Sequence, residues 1–283
     1  MVDLGKSALG VTQTCRLLGV AKSSYYDQLK KAPKRALRCK ALVAQIRAVF
    51  EEHLGNYGSP RIHRRLREQG VRISRKRVAA LMRQNQLVSR RKRRFKPMTT
   101  DSNHDGPIAK NLLQRDFTAA SPNRVWVGDI TYCATDDGWL YLAVIIDVFS
   151  RRVVGWATSG SPSAQLAVEA LTRAIELRKP QPGLVVHTDR GSQYASRLYR
   201  EKLLQAKALP SMSRRGNCYD NAMAESFFST LDFELRQHHD FHSHRQANVV
   251  LANFIENYYN RKRMHSSVDY KSPVQYEEMQ MAA

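Results

Sequence analysis

Cysteine is scarce in this 283-residue sequence. Cys15, Cys39, Cys133 and Cys218 are widely spaced and form no Cys-x-x-Cys pair, which excludes a disulfide framework and a zinc knuckle and leaves reduced thiols. Long apolar runs are missing too. The stretch from Leu140 to Val148 meets a charge well before the roughly 18 residues of a membrane span, so no transmembrane helix is expected. The start, Met-Val-Asp-Leu-Gly-Lys-Ser, lacks the pattern of a secretory signal, and a cytoplasmic location is the expectation. Histidines cluster at His238, His239, His242 and His244 with no cysteine pair beside them, which reads as a polar surface stretch rather than a zinc site.

Acidic residues are nearly absent from the first third. Residues 1–100 hold 25 Lys/Arg against 5 Asp/Glu, whereas residues 101–283 hold 21 against 20, so almost all of the net charge of +21 lies in an N-terminal arm. Such an arm on a near-neutral body binds a polyanion, and nucleic acid is the leading partner. Charge alone does not distinguish nucleic acid from a ribosomal or membrane surface.

The arm reads as helices. Val11 to Lys30 fits two short helices broken at Gly19, a helix-turn-helix spacing, with Lys22, Ser23, Ser24 and Tyr25 at the start of the second. Pro33 is expected to separate this module from an amphipathic helix over 36–53. A loop at 55–60, a helix over 61–69 and a helix capped by Ser74 and reaching about Asn85 make a second helix-turn-helix, with Arg75, Lys76 and Arg77 in its last helix's first turn. The run Arg90 to Lys96, which includes Arg91, Arg93 and Arg94, is suited to tracking phosphates. The divisions expected are 1–32 helix-turn-helix, 33–97 a basic helical region with the second helix-turn-helix, 98–121 linker and 122–283 the core.

From Arg124 the pattern changes to strands. Val125–Ala134, Leu140–Val148 and Arg152–Thr158 read as strands, the first two joined by a tight turn at Asp136-Asp137-Gly138. A helix over 164–177, a strand over 183–188, a helix over 193–206, a strand over 209–213 and a helix capped by Asp220 and reaching Leu235 complete the order βββ-α-β-α-β-α. This is an α/β fold, a mixed sheet flanked by helices, preceded by an all-α arm.

Three carboxylates stand at informative places, and the first interrupts an apolar pattern. Asp129 is within the first strand, Asp189 ends the strand Val185-Val186-His187-Thr188, and Glu225 lies on the helix begun near Asp220. A buried carboxylate needs a partner or a cation. Oxygen ligands suit Mg²⁺ or Mn²⁺, and two such ions serve phosphoryl transfer. On the carboxylates alone, a metal-dependent nuclease or strand-transferase and a structural ion-pair network are both open.

Fifty-nine residues separate Asp129 from Asp189 and thirty-five separate Asp189 from Glu225, in the contexts Gly-Asp-Ile-Thr-Tyr, His-Thr-Asp-Arg-Gly-Ser-Gln-Tyr and Asp-Asn-Ala-Met-Ala-Glu-Ser-Phe-Phe. With these motifs, Ser213-Arg214-Arg215-Gly216-Asn217 and Tyr259-Asn260-Arg261-Lys262-Arg263-Met264-His265-Ser266, the chain resembles the orfB-type transposases of bacterial insertion sequences. The core of those enzymes is similar to that of retroviral integrases. The resemblance implies an RNase H-like core and metal-dependent cleavage at element ends, followed by 3′-hydroxyl attack on another strand. It further implies two Mg²⁺ or Mn²⁺ ions held by Asp129, Asp189 and Glu225, and double-stranded DNA as partner, bound by at least a dimer on the bacterial nucleoid. In related elements an upstream reading frame is joined by frameshifting, which implies such a fusion or partner here.

Further DNA contacts are expected from Lys22, Ser24, Arg75, Lys76, Arg77, Arg91, Arg93, Arg94, Arg214, Arg215, Asn221, Arg261 and Arg263. Asn221 shares the face of Glu225 one turn earlier. Seven residues after Glu225 the family usually carries Lys or Arg, and this chain carries Asp232. Arg236 returns to nearly the same helical face one turn later and is expected to supply that contact. Asp147 is read as structural, and Trp126, Trp139 and Trp156 as packing residues. The competing readings are a catalytically silent DNA-binding regulator and an RNase H-like nuclease that cuts without joining.

Overall fold

The computed structural model describes residues 2–90, 106–214 and 218–282. The chain divides into two compact units, Met1–Arg90 and Arg91–Ala283.

The first unit is helical. Helix α1 (Val2–Leu17) is kinked at Gly10, and the turn at Gly19, with φ +62°, leads into α2 (Lys22–Glu52). Pro33 lies inside α2 and does not end it. The Pro ring deletes one backbone hydrogen bond, but this stretch is exposed to water and its neighbours Gln28, Leu29, Lys30, Lys31, Lys34 and Arg35 are strong helix formers. Helices α3 (Ser59–Glu68) and α4 (Arg75–Gln84) follow, joined by a turn with Gly70 at φ +81°. Ser74 caps α4 as expected, its hydroxyl accepting from the Arg77 N–H at 3.2 Å. Ile46 and Val49 of α2, Ile62 and Leu66 of α3, and Val78, Leu81 and Met82 of α4 are buried, so the apolar stripes of three helices form this unit's core.

The second unit is built on a five-stranded sheet of order β3-β2-β1-β4-β5, from β1 (Val125–Thr135), β2 (Gly138–Asp147), β3 (Val153–Ser159), β4 (Val185–Thr188) and β5 (Leu209–Met212). The first three pair antiparallel, while β4 lies parallel to both β1 and β5. The mixed sheet matches the expected fold class. Alternation along the strands loads two cores. Trp126, Ala143 and Ile145 pack with α5 (Ala164–Arg178), α6 (Ser192–Ala195) and α7 (Arg197–Gln205) on one face. Val127, Leu142, Val144 and Ile146 pack on the other with α8 (Ala222–Glu234), α9 (His244–Ala252) and the π-helical stretch Asn253–Tyr259. Gly155 of β3 lets α5 approach closely, since a Cβ there would lie 2.3 Å from the Ala170 carbonyl oxygen.

The single helix expected over 193–206 is two helices, because Ser196 takes an extended backbone and caps α7 from the Tyr199 N–H. Asp147 is structural, as expected: buried, it accepts from the Asn123 and Phe149 N–H groups and from Trp126 Nε1. Trp126 is fully buried, and Trp156 Nε1 donates to Glu256 at 2.8 Å, whereas Trp139 is exposed. The last helix, α10 (Pro273–Met281), is fastened by Glu277, which accepts from Arg152, Arg178 and the Ser150 hydroxyl at 2.8–2.9 Å.

Candidate active site

The parallel pairing of β1 with β4 runs from Val125↔Val185 to Gly128↔Thr188. Asp129 and Asp189 each follow the last pair by one residue, so the register brings the two acids side by side, Asp129 within β1 and Asp189 just past the end of β4. In an antiparallel pair they would diverge. Each carboxylate is oriented by the backbone beside it: Asp129 Oδ1 accepts from the Ile130 N–H at 2.8 Å, and Asp189 Oδ1 from the Gly191 N–H at 3.0 Å. Gly191 leaves room at that turn, since a Cβ there would lie 3.1 Å from Asp189 Oδ1 and 2.7 Å from the mobile Gln193 Oε1.

Helix α8 supplies the third acid. Met223, Ala224, Phe227 and Leu231 bury one face against the sheet and leave Glu225 exposed toward solvent. Asn221, just before the helix, is buried, and its Nδ2 donates to the Gly128 carbonyl at 3.4 Å, next to Asp129. The expected Asp220 cap is not formed. Asp220 lies in the 3-10 turn Cys218–Asn221, and its carboxylate reaches back to Arg214.

Burial pushes the Asp129 carboxyl well above the usual carboxylate range, repulsion from Asp189 and, more weakly, Glu225 adds to this, and only the Ile130 hydrogen bond opposes it. Clustered carboxylate oxygens are the donor set of Mg²⁺ and Mn²⁺, and a divalent cation would offset both penalties. The donor chemistry therefore fits. In their present placement, no three His, Cys, Asp or Glu side chains among the described residues are grouped closely enough to hold one ion.

Comparison with known proteins adds a second line. The family described as Integrase core domain matches residues 119–218, a second family of that description matches residues 207–273, and an HTH-like domain matches residues 37–95. The transposase for insertion sequence element IS904 of Lactococcus lactis is 44% identical over 88% of this chain and 98% of its own length. Transposase InsF for insertion sequence IS3A of Escherichia coli is 39% identical over 99% and 98%. The chain belongs to the insertion-sequence transposases. Among solved structures, a chain of the simian T-cell lymphotropic virus intasome in complex with PP2A regulatory subunit B56 gamma is 17% identical to the transposase, covering 72% of this chain and 67% of that one with a TM-score of 0.47.

Apart from Asn221, which is buried and turned to the Gly128 carbonyl rather than to solvent, the residues expected to touch DNA fall into four groups. In the transposase's helical unit Lys22, Ser24, Arg75, Lys76 and Arg77 are exposed at the first turns of α2 and α4, and in the core unit Arg261 is exposed. Arg91, Arg93, Arg94 and Arg215 lie outside the described residues. Arg214 is half-exposed, but its guanidinium is paired with Asp220 through two bonds of 2.9 Å.

Arg236 and Arg263 depart from expectation. Helix α8 ends at Glu234, so Arg236 sits in a 3-10 turn (Arg236–His238) rather than one turn further along the same face. There its Nη1 pairs with Asp232 at 2.6 Å and donates to Thr131 Oγ1 at 3.4 Å. It neutralises Asp232 instead of offering a free cation in its place. Arg263 is 6% exposed and holds Glu234 through Nε and Nη2 at 2.8–3.0 Å, which makes it a core ion pair rather than a phosphate contact. Sequence reasoning missed the role of Asp220. The carboxylate beside Asn221 was visible, but its partners are 6 to 109 residues away and no local pattern marks them.

Proposed function

We propose that the transposase cleaves DNA at the ends of its insertion sequence and joins the freed ends to target DNA, with Asp129, Asp189 and Glu225 as the catalytic carboxylates. The observation that carries this reading is the parallel β1–β4 register, which sets Asp129 within β1 beside Asp189 at the end of β4, next to the helix bearing Glu225.

In the first step a water oxygen bonds to phosphorus as the bond from phosphorus to the element's 3′ oxygen breaks, leaving a 3′-hydroxyl and a 5′-phosphate. In the second that hydroxyl attacks a target phosphodiester, and a target 3′-hydroxyl leaves. Both are in-line displacements without a covalent enzyme intermediate. Asp129 and Asp189 would hold Mg²⁺ or Mn²⁺, with Glu225 completing the set from α8. Such ions, when bound, activate the nucleophile and stabilise the leaving oxygen. The backbone N–H groups of Ile130 and Gly191 fix two of the carboxylate oxygens before any ligand arrives, which lowers the reorganisation required. The exposed cations at the starts of α2 and α4 suit phosphate contacts, and holding two element ends together requires at least a dimer on DNA.

The test is end cleavage and strand transfer with Mg²⁺ on DNA carrying the element's own termini. Asp129→Asn and Glu225→Gln should each lose at least about 100-fold in rate while end binding is kept. Wild-type rates in either variant would overturn its assignment. Cleavage without joining by the wild type would identify a nuclease instead.

A further inference from the structure

Asp220 is completely buried, yet it is surrounded by cations and amides from two other segments. Its carboxylate accepts from the Arg214 N–H, Nε and Nη2 at 2.9 Å each, from Arg115 Nε at 3.1 Å and from Asn111 Nδ2 at 3.0 Å. Arg115 and Asn111 precede the matched integrase core, which begins at residue 119. They belong to the connector ahead of that core.

The connector is built to reach this point. Leu113 is buried in the α8 side core, and the Leu112 N–H donates to Ser211 Oγ on β5 at 2.9 Å. Gln114 and Arg115 both hold left-handed backbones, at φ +47° and +69°, in a turn closed by the Gln114 N–H on Asn111 Oδ1 and the Asp116 N–H on the Leu113 carbonyl. Two consecutive non-glycine residues at positive φ are costly and persist only where their surroundings demand it. The result here is that Asn111 and Arg115 face the same carboxylate.

From Asp220 the contacts run to all three catalytic positions. Arg190, next to Asp189, donates to the Ser213 carbonyl at 2.6 Å, and the following residue, Arg214, grips Asp220. Asn221, next to Asp220, donates to the Gly128 carbonyl beside Asp129. Helix α8 starts there, and Glu225 is its fourth residue. We infer that Asn111 and Arg115 of the connector are positioning residues for strand transfer: by holding Asp220 they set where α8 begins and so where Glu225 stands relative to Asp129 and Asp189. The connector is then part of the catalytic machinery and not a tether.

This inference rests on Glu225 being catalytic, and the experiment separates the two ideas. In the full-length transposase, end cleavage and strand transfer are measured for Asn111→Ala, Arg115→Met, Arg115→Lys, Asp220→Asn and Glu225→Gln, together with affinity for an element-end duplex and thermal midpoint. A displacement of about 1 Å at a reacting group costs up to about 100-fold in rate. Asn111→Ala and Arg115→Met should therefore lower kcat by about 10- to 100-fold with KM, end affinity and thermal midpoint close to wild type, and Arg115→Lys should recover most of the loss. Arg115 is half-exposed, so these variants remain informative if Asp220→Asn fails to fold. Wild-type kcat in Asn111→Ala and Arg115→Met, alongside an inactive Glu225→Gln, would overturn the role of the connector alone. So would a loss of kcat matched by a collapse of the thermal midpoint. An active Glu225→Gln would instead overturn the reading beneath it.

Discussion

Arg261, Lys262 and Arg263 stand consecutively, and burial alone separates their roles. Arg261 is exposed, whereas Arg263 is enclosed with Glu234 and lies over the Tyr259 ring. Removing one member of a buried ion pair strands the other charge, which costs about 3–5 kcal/mol. Arg263→Ala should lower the unfolding free energy by that amount in urea titration, and Arg261→Ala should change it by no more than about 0.5 kcal/mol. If the two variants are equally stable, the Glu234 pairing is not a core interaction. The same contrast explains what a sequence reveals at this scale. Asp129 stands out because it interrupts an apolar pattern, and Asp189 and Glu225 because they stand in motifs at a fixed spacing. Arg263 and Arg236 were misread because their partners, Glu234 and Asp232, are set by where a helix stops, and the backbone of Leu235 that stops it has no residue signature.

Elements whose ends are marked by local chemistry were legible, and those governed by packing were not. Ser74 and Ser163 cap helices where a serine precedes an apolar stripe, and Asp136-Asp137 forms the two-residue turn between β1 and β2. Propensity marks Pro33 as a helix break, but the stretch around it is exposed to solvent and α2 runs through it. The contact between β3 and α5 was equally invisible, since it depends on which glycine meets which helix. A methyl group at Gly155 would lie 2.6 Å from Ala174 Cβ as well as against the Ala170 carbonyl. Overpacking at a site with backbone on one side costs about 1–3 kcal/mol or more, so Gly155→Ala should lower the denaturation midpoint without altering the denaturant m-value. An unchanged midpoint would mean that α5 can move away from the sheet at little cost.

Acid response belongs to the whole molecule, because carboxylates buried in different places pull in opposite directions. Burial raises the Asp147 and Asp129 carboxyls, and such groups bind protons more readily folded than unfolded, so they favour the fold as pH falls through their range. Burial also pushes Glu277 upward, but hydrogen bonds from Arg178, Arg152 and Ser150 outweigh it, and Asp220 is likewise held low, chiefly by Arg214. Stability from these two is present above the ordinary carboxylate values and is lost as pH falls through their lowered ones. The thermal midpoint should hold or rise slightly from pH 7 to about 5, then fall below about pH 4. Glu277→Gln should flatten the acid limb, and a monotonic decline from neutral pH in the wild type would contradict the balance. The sheet order carries a consequence in time as well. Strands β1, β2 and β3 are neighbours in sequence and can zip as hairpins, but the β1–β4 pairing closes a long loop, and non-local pairings form slowly. On the proposed triad, competence to cut DNA arises late in folding: a nascent chain that has completed its basic arm and its first three strands does not yet contain the second aspartate, let alone the helix that brings the glutamate.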